Sequence, residues 1–158
     1  MFAQRSDTGQ HLRRTKVDDL LKREAQVGMT AAHYYAAFQA TTDKVKNVFL
    51  TFLLDAKRQG KSVAAYGAAA KGNTLMNYAG IRPDLIAFVV DRNPAKRGKY
   101  MPGSRIPIAD EPRLKNSKPD YVVILPWNLK AEVMQQLEYL RAWGGRFVTA
   151  VPHLELTP

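Results

Sequence analysis

The chain contains no cysteine. That excludes disulfides and any thiolate metal site. Its histidines, His11, His33 and His153, are scattered at no ligand spacing, so no metal is expected. No apolar run approaches the roughly 18–20 residues that a membrane span needs. The start, MFAQRSDTGQHLRR, lacks the apolar core of a secretory signal. These absences predict a cytoplasmic protein with no membrane contact. Acidic residues are also scarce: 14 against 24 lysines and arginines, for a net charge of +10. Such a chain attracts nucleic acid, phosphorylated metabolites or acidic proteins. The basic residues are spread from Arg5 to Arg146 among acids, however, which equally describes a solvated surface. No platform of interleaved aromatic and basic residues of the RNA-binding kind is visible, so a nucleic-acid partner is disfavoured.

At 158 residues, 46% of them apolar, one globular domain with a real core is expected. Residues 1–14 are polar and basic and read as a flexible start. Residues 15–60 read as a helical arm. VDDLLKREAQVGM (17–29) is a short helix ended near Gly28, with Thr15 as its N-cap. In residues 30–59, Phe38, Val45, Phe49, Phe52 and Ala56 fall on one helical stripe, closed by Gly60.

From residue 61 to 158 the pattern changes. SVAAY, LIAFVVD, DYVVILPW and RFVTAV are short apolar strands, and NTLMNYA and LKAEVMQQLEYLRAWG are helices. A short helix starts near Asp110 or Glu111. Continuous apolar strands alternating with helices indicate an α/β fold, a small Rossmann-like parallel sheet covered on both faces. In such sheets ligands bind beyond the carboxyl ends of the strands, at the switch point. Residues 67–72, 91–99 and 126–128 are those ends.

Residues 67–72, GAAAKG, have the smallness of a phosphate-binding turn. The amides of Asn73 and Thr74 would face the anion from a helix start, with Lys71 adding a charge. This is neither GxGxxG nor a Walker A loop, because Ala69 and Ala70 replace later glycines and Lys71 precedes Gly72. Two readings stay open: a phosphate cradle, or small residues that let a helix pack closely on the sheet. Asp91 follows Gly67 by 24 positions, as an acid holding a ribose does in a dinucleotide fold. An NAD(P)-binding enzyme is therefore one alternative. The other reading of Asp91 is an Asx turn. Trp127 and Asn128 can stack on and hydrogen-bond a ligand, or pack and cap. No catalytic set is legible.

Four stretches taken together carry more. VAAYGAAAKGNTLMNYAGI, VVDRNPAKRGKYMPGSRIPI, PDYVVILPWNLKAEV and WGGRFVTAVPHLEL, in this order, closely resemble the C-terminal domain of SAM-dependent deoxysugar C-methyltransferases. The similarity covers about residues 17–156. The segment Gly9-Gln10-His11-Leu12-Arg13 is similar to the family's Gly-Gly-Ser-Leu-Arg stretch, apart from Gln10 and His11. The resemblance implies a domain that holds a nucleoside-diphosphate sugar, such as a dTDP-deoxysugar, against a methyl donor. The family's zinc segment, SAM-binding domain and acid/base residues are expected elsewhere. This chain is then not catalytic alone and holds no cofactor, and its partner is a methyltransferase domain or subunit. The ligand-facing residues implied are Tyr66, Gly67, Lys71, Gly72, Asn73, Asp91, Asn93, Trp127 and Asn128. A basic module for protein or nucleic-acid interaction is a further alternative, and self-association through the exposed arm is expected.

Overall fold

The computed structural model describes residues 4–5, 7–9 and 12–158. Gln10 and His11, part of the Gly-Gly-Ser-Leu-Arg comparison, lie outside the described residues. The chain divides into two compact units, Met1–Thr41 and Thr42–Pro158. Among the described residues no helix is long and apolar enough to cross a membrane.

The first unit holds helix α1, Thr15–Gln26, and a 3-10 turn, Ala32–Tyr35. Thr15 is the first helical residue rather than the cap, and Arg14 precedes it with no side-chain cap. Gly28, at φ +85°, turns the chain out of the helix in the left-handed conformation that only glycine adopts without strain. The expected long helix over residues 30–59 begins only at Phe38. Ala31 is extended at its start, and His33, Tyr34 and Tyr35, whose rings lose rotamer freedom in a helix, form the 3-10 turn instead.

Helix α2, Phe38–Arg58, carries Phe49, Leu53 and Ala56 into the core of the second unit. Phe38, expected on that stripe, is exposed, and Phe52 is only partly covered, edge-on to Tyr121 at 5.1 Å between ring centroids. A Schellman closure ends α2: Lys61 N–H reaches Ala56 O, Gly60 N–H reaches Lys57 O, and Gly60 has positive φ.

The sheet of the second unit has six strands in the order β3-β2-β1-β4-β5-β6. They are β1 (Val63–Tyr66), β2 (Val89–Val90), β3 (Ile108–Ala109), β4 (Tyr121–Ile124), β5 (Arg146–Thr149) and β6 (Glu155–Thr157). The first five are parallel. β6 is an antiparallel edge that the reading of the sequence did not contain, and neither did it contain β3. Strand β2 is shorter than LIAFVVD suggested, because Leu85 lies in a turn. The helices are α3 (Ala70–Tyr78), α4 (Pro112–Ser117) and α5 (Lys130–Gln136). The single helix expected over residues 129–144 is broken. A 3-10 turn, Trp127–Leu129, precedes α5, and another, Glu138–Trp143, follows it.

β1 is buried at every position, with its side chains alternating between two cores. Val63 and Ala65 pack with α2 and with Met76 of α3. Ala64 and Tyr66 pack with Leu114 of α4, Val133 of α5 and Leu137, Leu140 and Phe147. Period-two alternation into two apolar layers is why β1 reads as one unbroken apolar run.

At the opposite end of β1, Asp120 fixes its register against β4. Oδ2 accepts from Ser62 N–H and Ser62 Oγ, both at 2.8 Å, and Oδ1 accepts from Lys61 Nζ at 2.9 Å. The Ser62 amide foremost, with Lys61, lowers the carboxyl pKa to about 2. A depressed pKa stabilises the fold above the unfolded value of about 3.9 and ceases to do so as pH falls through the folded value. Asp120→Asn is therefore expected to lower stability at neutral pH by an amount that shrinks between about pH 4 and pH 2. Urea unfolding of both proteins across that range measures it, and a difference constant with pH would refute the assignment.

Candidate functional site

The order of the strands places the switch point between β1 and β4, whose onward connections leave in different directions. Gly67 follows β1 with φ +90°, and its N–H continues the ladder to Val90 O. A Cβ there would meet Pro126 Cδ at 2.6 Å. Ala69 is extended, and α3 begins at Ala70. The Asn73 amide already donates to Ala69 O at 3.0 Å. The amides without an acceptor inside the helix are thus those of Ala70, Lys71 and Gly72, not those of Asn73 and Thr74 as the sequence suggested. Gly72 faces the sheet, where a Cβ would meet Leu125 Cβ at 2.6 Å. The two glycines let the start of α3 lie against the chain leaving β4.

One residue before Gly72, Lys71 turns toward that same segment. Its Nζ donates to Asn128 Oδ1 and lies 4.7 Å from the centroid of the Trp127 ring. Lys71, Trp127 and Asn128 therefore meet. Asn73, one residue beyond Gly72 along α3, buries an Oδ1 that finds no hydrogen-bond donor among the described residues.

Asp91 and Asn93 shape the neighbouring loop. Asp91 Oδ2 accepts from Ala68 N–H at 2.8 Å and Lys96 Nζ at 3.2 Å, and Oδ1 accepts from Asn93 N–H at 2.8 Å. Lys96 also donates to Ala68 O at 2.8 Å. This is an Asx turn that ties the loop after β2 to the loop after β1. Asn93 Oδ1 caps the turn Pro94–Lys96 through Ala95 N–H. A carboxylate offers about four lone-pair positions, so Asp91 has little left for the hydroxyls of a ribose. Lys96 and Arg97 are likewise engaged with backbone oxygens, Arg97 with those of Asp91 and Arg92.

Tyr66 points the other way, onto the α5 face. It is 7% exposed, and its hydroxyl accepts from Gln136 Nε2 at 2.8 Å. Gln136 Nε2 also donates to Glu111 Oε2 at 3.1 Å, and its Oε1 accepts from Arg92 Nη1 at 3.2 Å. Tyr139 donates to Glu111 Oε1 at 3.1 Å. Burial raises the pKa of both phenols, and the Glu111 charge adds to the rise at Tyr139. Reading the sequence gave no role to Gln136 or Tyr139. Gln136 lies 70 positions from Tyr66, and no local pattern announces such a pairing. Among the described residues, no group of three or more histidine, cysteine or acidic side chains is placed to hold a metal.

Residues 1–152 match the family described as the C-methyltransferase C-terminal domain. The chain belongs to that family. C-methyltransferase NovU of Streptomyces niveus is 32% identical to it over 142 residues, which is 90% of this chain and 34% of that protein. The C-methyltransferase C-terminal domain thus spans about a third of the relative's length. Within this domain the glycine pair has a testable energetic signature. Gly72→Ala is expected to cost about 1–3 kcal/mol through overpacking against Leu125. Paired with Leu125→Gly, which removes the contacted Cβ, its cost should fall well short of additive, with a coupling of about 1 kcal/mol. Denaturant unfolding of the four proteins in that cycle decides it, and simple additivity would exclude the contact as the reason for glycine.

Proposed function

We propose that this domain binds the nucleoside-diphosphate sugar of a SAM-dependent sugar C-methyltransferase, with the methyl donor carried by another domain or subunit. The observation that carries the reading is Lys71. Its ammonium sits at the switch point against two neutral partners, an amide oxygen and an indole face. Among the described residues it has no ion pair. Beside it are the amides of Ala70–Gly72 at the positive end of α3, which have no acceptor inside the helix. A diphosphate is a stronger partner for that ammonium than either group it now touches. On binding, Lys71 exchanges Asn128 for a phosphate oxygen, which leaves Trp127 and Asn128 to meet the base or ribose. Asn73 offers its Oδ1, buried and without a donor among the described residues, to a bridging water. Gly67, Gly72, Asp91 and Asn93 act on the ligand indirectly, by setting the two loops.

On this reading the methyl donor binds elsewhere than at these strand ends. Asp91, the acid that would hold a donor's ribose, is engaged by the loop. What the domain supplies is position: it fixes a charged, flexible substrate so that another part of the enzyme can work on the sugar carbon.

Calorimetric titration with dTDP, dTDP-glucose, SAM and NADH in parallel tests the reading. The two dTDP ligands should bind and change Trp127 fluorescence, while SAM and NADH should not. Lys71→Met should weaken dTDP by about 10- to 100-fold, the range for losing a hydrogen bond to a charged group. Binding of NADH or SAM in place of the dTDP ligands, or unchanged affinity in Lys71→Met, would overturn it.

A further inference from the structure

We infer that Tyr66, Glu111 and Gln136, with Arg92 at their margin, form a recognition site for sugar hydroxyls on the α5 side of the same strand ends. The inference rests on the nucleotide-sugar reading and assigns the half of the ligand that Lys71 does not.

The carboxyl ends of three strands deliver these groups. Tyr66 ends β1, Arg92 follows β2 and Glu111 follows β3. Gln136, at the end of α5, joins them. Its amide is used on both sides, with the nitrogen on Tyr66 and Glu111 and the oxygen on Arg92. Those three partners fix which way the amide faces. They also leave particular valences open. The Tyr66 hydroxyl accepts from Gln136, and among the described residues its own proton has no acceptor. Burial raises its pKa, so it remains a protonated donor through the neutral range. The half-buried Glu111 accepts from two neutral donors and, among the described residues, forms no ion pair. About two of its lone-pair positions are unoccupied.

An open phenol donor and an open carboxylate acceptor, held rigidly through one amide, match a hydroxyl, which both accepts and donates. They suit a base or a phosphate poorly. Tyr66, 7% exposed, offers no ring face for stacking, and Glu111 repels an anion. The flat platform and the cation lie instead at Trp127 and Lys71. Purely structural tethering of α5 would explain the bonds Gln136 makes. It would not explain why the two groups it joins keep matched open valences at the carboxyl edge.

The experiment compares dTDP with dTDP-glucose by calorimetry on the full chain, for wild type, Tyr66→Phe and Glu111→Gln. Glu111→Gln keeps the side-chain shape and serves if Tyr66→Phe does not fold. Wild type is expected to prefer the sugar-bearing ligand by about tenfold or more, from one or two hydrogen bonds in which one partner is charged. Each variant should bring that preference toward one. A preference unchanged in the variants, or absent in wild type, overturns the sugar site while the nucleotide reading stands. Equal weakening of both ligands overturns it as well, by placing the cluster under the nucleotide. No binding of either ligand to wild type removes the underlying reading, and the inference falls with it.

Discussion

The contact between the start of α3 and the chain leaving β4 is the constraint on which the candidate site depends. Two positions make it possible. A methyl group at Gly67 or Gly72 would stand 2.6 Å from a carbon of Pro126 or Leu125, far inside ordinary van der Waals separation. Neither neighbour can yield easily: Pro126 is a fixed ring, and Leu125 is anchored in the core with its N–H on Tyr66 O. With the contact made, geometry does the rest. Successive residues of a helix are turned by about 100°, so a Gly72 directed at the sheet turns Lys71 sideways. Sideways from α3 lies the turn Trp127–Leu129. The position of Lys71 over Trp127 is thus a consequence of close packing one residue away.

The chain's excess of positive charge is only partly at the site's disposal. Lys96 and Arg97, in the loop after β2, both bind backbone oxygens, and Lys96 also pairs with Asp91. Lys61 pairs with Asp120 at the far end of the sheet. At the carboxyl edge, Lys71 on the α3 side and Arg92 on the α5 side are each held by a neutral amide side chain. An amide holds a cation in place without neutralising it. A carboxylate in the same place would have closed the site to anions, since an incoming phosphate would then have to displace an ion pair.

Most of the fold was legible because it rests on local patterns. The runs VAAY and YVVI announce buried strands, and Gly60 and Gly28 close their helices as the sequence suggested. The failures have local causes of their own. Ile108–Ala109 and Glu155–Thr157 are edge strands of two and three residues, too short for any period to show. Helix α3 starts three residues before Asn73, because Ala70 and Lys71 are good helix formers and the break comes at Ala69. Lys71, Trp127 and Asn128 could be nominated separately, each ending a loop at the carboxyl edge. That they touch is a fact of tertiary packing. The role of Asp91 as a loop tie was one of two open readings, and Gln136 was invisible because its partners lie 25 to 70 positions away.

The two sets of polar groups lie on opposite faces of one strand end. Lys71 belongs to the α3 face and Tyr66 to the α5 face, while Gly67 sits between them at the exit of β1. A ligand crossing that exit would meet a cation and an aromatic plate on one side, and a phenol and a carboxylate on the other. The backbone at Gly67 has no side chain to obstruct the crossing. A nucleoside-diphosphate sugar has the same sequence of properties along its length: a flat base, a charged middle and a hydroxylated end. Packing and hydrogen bonds already hold these side chains near one another, which limits the ordering such a ligand would require. Poles of different chemistry would also give such a ligand one favoured direction, which presentation to a separate methyl donor, as proposed, would need as much as affinity.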